Sequence, residues 1–154
     1  MTREPADRTL CAAVSEDVRP NPADATGHCA FCSVDLARAA WSSPLAIALW
    51  DLYPVSLGHA LIVPRRHATS WGELAANEKA ALTAGIDAVR ALIDERFQPH
   101  AYNVGYNDGG PAGQTIEHFH VHVIPRYQGD VLDPRGGIRW VLPDKAAYWQ
   151  STSQ

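Results

Sequence analysis

His118, His120 and His122 occupy every second position of "EHFHVHVIPRY" (Glu117–Tyr127), with Phe119, Val121 and Val123 alternating with them. Strand side chains point to opposite faces with period two, so the three imidazoles are expected on one face. Phe119, Val121 and Val123 then cover the other face and face a core. The row takes three of the seven histidines in the chain, more than composition alone supplies. Neutral imidazole is a common metal ligand, and His-x-His is a familiar ligand pair. An imidazole can also act as a nucleophile if its second nitrogen holds the proton and donors wait for charge developing on the substrate. The third reading is a polar outer face without chemistry.

The loop upstream favours the catalytic reading. In "NDGGPAGQTIEH" the glycines, Gly113 among them, let backbone N–H groups approach an anion, and Asn107, Gln114 and Thr115 add directed hydrogen bonds. A glycine-rich loop alone is most often a turn. Running directly into a histidine row, it is expected to cradle a phosphate facing a nucleophile. A second group sits near the start, where Cys29 and Cys32 form C-x-x-C in "CAFC". That spacing reads as metal or redox chemistry, or as two ordinary thiols, and a tetrahedral site needs two more ligands. Cys11 has no assigned role.

The elements that must position these groups follow from periodicity. "SPLAIALWD" (Ser43–Asp51) and "HALIVPRRH" (His59–His67) read as two strands joined by the Pro/Gly turn "YPVSLG". Leu82, Ile86, Val89, Ile93 and Phe97 make one apolar stripe in a helix expected over 77–97, slightly weakened by Gly85. "SWGEL" before it is expected to form a short turn or helix. "HAYNVGYN" (His100–Asn107) returns to strand character, the histidine strand follows, and "IRWVL" is a short strand candidate in the tail. Strands, one long helix, then strands imply α+β: an antiparallel sheet of about five strands with the helix on one face.

Length and composition bound the rest. The 154 residues suit one domain with a real core, and 46% hydrophobic with 19% charged residues is ordinary for a globular chain. A net charge of -4 argues against a broad basic face for nucleic acid or anionic lipid, though not against a single bound phosphate. No apolar run approaches a membrane span, no secretory pattern opens the chain, and the expected location is the cytoplasm. Residues 1–27 read as an extended arm, 28–128 as the domain, and 129–154 as a tail carrying Trp140, Tyr148 and Trp149.

The residues together resemble the histidine triad (HIT) family of nucleotide hydrolases and transferases. "GQTIEHFHVHVIPR" is similar to its signature, "LWDLYPVSLGHALIVPRRH" to its upstream segment, and "CAFC" to the C-x-x-C of many bacterial members. The likeness runs from about Cys29 to Arg126. It implies a HIT-like fold, a sheet extended across a homodimer, and hydrolysis at the α-phosphate of a nucleoside phosphoramidate or dinucleoside polyphosphate. Adenine is the expected base. His120 matches the nucleophile; His59 and His122 match the histidines that contact the phosphate and assist the leaving group. Asn107, Gly113, Gln114 and Thr115 match the phosphate loop, and Asp51 matches the acid that accepts from ribose hydroxyls. The transferase branch carries Gln or a variant at the third histidine, so His122 favours hydrolysis. In bacterial members with C-x-x-C, Cys29, Cys32, His67 and His118 would be ligands of a structural zinc, and no catalytic cofactor is required. The tail is expected to pack on its own subunit or across the dimer.

Overall fold

Two apolar runs, Ala46–Trp50 (β2) and Ala60–Pro64 (β3), form adjacent antiparallel strands in register from Ala46↔Pro64 to Trp50↔Ala60. Four of the five β2 residues and all of β3 are buried, on both faces of the sheet. In the computed structural model, which describes residues 29–150, Ala39–Ser42 (β1) flanks β2, and Val121–Arg126 (β5) and Ala101–Gly105 (β4) complete the order β1-β2-β3-β5-β4. All four pairings are antiparallel. The arm expected over 1–27, and His28, lie outside the described residues.

The helix Ala76–Phe97 (α1) covers one face with the expected stripe: Leu82, Val89 and Ile93 are buried, and Ile86 and Phe97 pack against them at the margin. Its start is fixed by Glu78, whose carboxylate accepts from the Ala75 N–H at 2.8 Å and pairs with Arg66 at 2.7 Å. Gly85 does more than weaken the helix. A Cβ there would lie 2.8 Å from Ile62 Cγ2 and 2.9 Å from Trp41 Cζ3, so glycine lets α1 seat on the sheet. The opposite face of β2 and β3 is covered by the N-terminal segment, where Phe31, Val34 and Ala39 pack on Ile47, Leu49 and Val63.

Three expectations need correcting. "IRWVL" is not a strand: Gly137–Val141 is a 3-10 helix, with Arg139 N–H donating to Gly136 O at 2.9 Å and Leu142 N–H to Arg139 O at 3.1 Å. Gly136 and Gly137 both have positive φ, 86° and 46°, which breaks extended backbone where strand propensity favours it. The fifth strand comes instead from β1, in "RAAWSS". Third, the histidine strand is regular only from Val121. Before it, β3 ends at Pro64, and the Phe119 N–H donates to Ala68 O at 2.6 Å instead of to a ladder partner.

Candidate active site and metal cluster

The alternation at 118–123 sorts the side chains as expected. Phe119, Val121 and Val123 enter the core with α1, while the three histidines share the other face. His120 is 5% exposed, and its Nδ1–H donates to the His118 carbonyl at 2.8 Å. A carbonyl can only accept, so the proton sits on Nδ1 and Nε2 keeps its lone pair. Phe31 packs against both His118 and His120, with ring centroids 5.6 and 5.4 Å apart.

His122 lies beside His120, at 5.0 Å between centroids, and meets His59 across the sheet, His59 Nε2 to His122 Nδ1 at 3.0 Å. The register makes this contact: His122 pairs with Leu61, which places the residue just before β3 diagonal to it on the same face. Gly58, at φ 83°, turns the chain into His59, and a Cβ there would come within 2.8 Å of the Phe97 ring. Beyond His59, its Nδ1 stands 3.2 Å from Asp51 Oδ2, and Asp51 Oδ1 accepts from the Tyr53 N–H at 2.8 Å. The carboxylate and His122 address different nitrogens of the His59 ring. Asp51, His59 and His122 thus form a chain of close contacts, an ion-pair distance from Asp51 to His59 and a hydrogen bond from ring to ring, and one donor atom from each lies within 4.8 Å of the others.

Burial pushes His122 down to about 4, with the neighbouring His120 and His59 adding to the effect and the Asp51 charge opposing it. His59 is likewise lowered by burial against the opposing pull of Asp51. Both rings are neutral at pH 7, the state in which an imidazole can take up a proton.

The loop after β4 is built around left-handed glycines. Gly109 (φ 91°) and Gly113 (φ 93°) bracket a 3-10 turn over Gly110–Ala112. Gln114 braces it: its Oε1 accepts from the Gly109 N–H at 2.7 Å, and its Nε2 donates to Thr69 O at 2.8 Å and Ile116 O at 3.0 Å. Asn107 Nδ2 reaches Gly113 O at 3.4 Å, and Thr115 and Gly113 are exposed. Under the loop, Trp71 stacks on Tyr106 with ring planes 11° apart, and Tyr106 contacts Phe119. The sequence reading assigned neither Trp71 nor Tyr106, because their pairing crosses the helix and has no local spacing. Two residues along β5 from His122, Ile124 forms part of a cavity of about 770 Å3 walled by Val55, Leu57, Ile138, Trp140 and Arg126. Ile138, Trp140 and Val141 bring part of the 129–154 segment to this cavity.

Cys29, Cys32, His67 and His118 converge as a second cluster, their donor atoms all within 4.8 Å of one another. Cys29 Sγ lies 3.2 Å and Cys32 Sγ 3.6 Å from His118 Nδ1, and Cys32 Sγ is 3.3 Å from His67 Nδ1. A tetrahedral zinc with ordinary Zn–S and Zn–N bonds separates sulfur from nitrogen by about 3.5 Å, so the donor set fits that ion. His118 is fully buried, and its Nε2–H donates to Pro64 O at 2.9 Å, leaving Nδ1 as the free ligand atom.

An antiparallel five-stranded sheet, one long helix and a histidine row on the face away from that helix define the class, and comparison with known proteins agrees. The HIT domain family model matches residues 37–129, and the chain belongs to that family. The chain is 36% identical over 90 residues to a bis(5'-nucleosyl)-tetraphosphatase (asymmetrical) of Schizosaccharomyces pombe, covering 58% of this chain and 50% of that protein. It is 40% identical over 87 residues to an AP-4-A phosphorylase of Mycobacterium tuberculosis, covering 56% and 45% respectively. It thus spans about half the length of these two relatives. A solved Zn-bound histidine triad family protein from Mycobacterium smegmatis superposes with a TM-score of 0.62 at 27% identity, over 68% of this chain and 79% of that one. Among the described residues, no helix is long and apolar enough to cross a membrane.

Proposed function

We propose that the protein hydrolyses the α-phosphate bond of an adenine nucleotide, a dinucleoside polyphosphate or a nucleoside phosphoramidate, through a nucleotidyl-histidine at His120. The observation that carries this reading is the bond from His120 Nδ1–H to the His118 carbonyl, which leaves Nε2 with its lone pair beside His122. His120 Nε2 attacks phosphorus, and the bond to the leaving group breaks with its electron pair on that group. The negative charge of the bound nucleotide favours a protonated His122, which gives a proton to a leaving group that needs one. Water then attacks phosphorus and gives a proton to neutral His122. The phosphorus–nitrogen bond breaks, returning its electron pair to His120 Nε2. His59 supports His122 in both steps. Asp51 accepts from ribose hydroxyls, and Asn107, Gly113, Gln114 and Thr115 hold the phosphates.

Cys29, Cys32, His67 and His118 would hold a structural zinc, which supplies a cross-link between the N-terminal segment and the sheet. The chemistry needs no catalytic metal. The active unit is a homodimer, as the family likeness implies.

The test is a panel of diadenosine polyphosphates and AMP phosphoramidates, assayed with and without a strong chelator. His120→Asn should abolish turnover while nucleotide binding survives. Full activity in that variant, or activity lost to the chelator without unfolding, would remove the reading. Inorganic phosphate added to the same assay separates hydrolysis from the phosphorolysis named for the mycobacterial relative.

A further inference from the structure

We infer that Asp51 is a positioning residue that fixes the protons on His59 and, through it, on His122, so that His122 Nε2 is the proton-accepting atom. This deepens the proposed hydrolase reading and rests on it for its catalytic meaning.

The argument follows the donors along the chain of contacts. Asp51 is the group that can start it, because both carboxylate oxygens are held: Oδ1 by the Tyr53 N–H at 2.8 Å, Oδ2 facing His59 Nδ1 at 3.2 Å. A carboxylate only accepts, so a lone pair on the facing nitrogen would repel it. The favoured arrangement puts the His59 proton on Nδ1. His59 Nε2 then carries the lone pair and accepts from His122 Nδ1 at 3.0 Å, which must be the protonated nitrogen of that ring. His122 Nε2 is left with its lone pair.

One contact competes. The Val55 N–H approaches His59 Nδ1 at 3.4 Å, and a bond there would require the reverse tautomer. It has hydrogen-bond geometry, but it is the longer contact and comes from a neutral amide, whereas the acid side chain of Asp51 stands at ion-pair distance and is partly withdrawn from water, with 14% of its side chain exposed. The reverse arrangement would place a proton on His122 Nε2 in the resting enzyme and remove the acceptor that the water step needs. Asp51 at the end of β2 thus acts on a reacting group in β5 without touching the substrate's phosphorus.

This role differs from ribose recognition, and the two make different predictions. In Asp51→Asn the side-chain oxygen is retained by the Tyr53 N–H, which turns the amide –NH2 toward His59 and forces its Nδ1 to accept. Ring nitrogen NMR on 15N-histidine-labelled full-length protein at neutral pH should show Nδ1 protonated on both His59 and His122. In Asp51→Asn both protons should move to Nε2. Turnover should fall roughly 100-fold or more in kcat, the size of a lost acid–base function. The fall in kcat should be seen with the 2',3'-dideoxy analogue, which has no ribose hydroxyls for Asp51 to accept from, as well as with a normal substrate. A pure ribose contact would instead raise KM, leave kcat intact, and have no effect on the dideoxy analogue; that result overturns the inference. An Nε2 proton on His59 in the wild type also overturns it, and that measurement decides the matter even if the variant does not fold. Wild-type protein that turns over no nucleotide would remove the hydrolase reading, while the NMR result would still decide the proton arrangement.

Discussion

His118 and Pro64 are joined by a 2.9 Å bond from the His118 Nε2–H to the Pro64 carbonyl, and this bond aims His118 Nδ1 at Cys29 and Cys32. The first triad histidine therefore faces the thiols, and its backbone carbonyl serves His120. One residue ties the Cys29, Cys32 and His67 cluster and the proposed nucleophile, His120, into a common frame. Purified protein should contain one zinc per chain by metal analysis. Cys32→Ser should lose it and lower Tm by about 8 °C, equivalent to ~2 kcal/mol for a chain of this size. Burial and the neighbouring Cys29 sulfur hold the Cys32 thiol above its ordinary range, so zinc uptake should release protons, measurable by calorimetry in two buffers. Metal-free protein with unchanged Tm would contradict the structural role.

Acid should weaken stability. His122 is lowered to about 4 and His59 is lowered as well, against an unfolded value near 6.5. Between those limits the unfolded chain binds more protons than the folded one. The stability from keeping these rings neutral is present above about pH 6.5 and is lost as pH falls through the folded value. Denaturant midpoints measured from pH 7 to 4 should fall, and in His122→Asn the slope should be shallower.

Gly85→Ala should destabilise the fold without touching the site. The added methyl would sit 2.8 Å from Ile62 and 2.9 Å from Trp41, inside van der Waals contact. Overpacking of this kind costs about 1–3 kcal/mol, more than the helix-propensity gain of roughly 1 kcal/mol from glycine to alanine. Chemical denaturation measures the difference; a stabilised variant would mean that α1 moves away freely.

Gln114→Ala should loosen the glycine-rich loop after β4. It removes an acceptor from the Gly109 N–H and a donor to the Thr69 and Ile116 carbonyls. At about 1 kcal/mol for each bond, stability should fall by about 2–3 kcal/mol. KM for nucleotide should rise more than kcat falls. An unchanged KM would mean the loop holds its shape without the brace.

Some of this was legible in local pattern. Period two sorted Phe119, Val121 and Val123 from the histidines, and the stripe from Leu82 to Phe97 located α1, because strand and helix periodicities are set by backbone geometry alone. Local pattern also misled. The strand propensity of "IRWVL" yielded to Gly136 and Gly137 and to the lack of a partner strand among the described residues, while β1 was not recognised because "RAAWSS" carries little alternation. A strand is defined by its neighbour, which propensity does not encode.

The sequence by itself determined which residue types stand ready for chemistry: an alternating histidine row, a glycine-rich loop before it, and two thiols three positions apart. Only the tertiary structure decided how they divide the work. His118 turns to the thiols, His122 to His59, and Asp51 to His59, because each of those contacts joins residues far apart in the chain or across a turn. Proton positions follow from the same contacts. A ring nitrogen's state is set by what it faces, and what it faces is fixed by the sheet register and the packing around it.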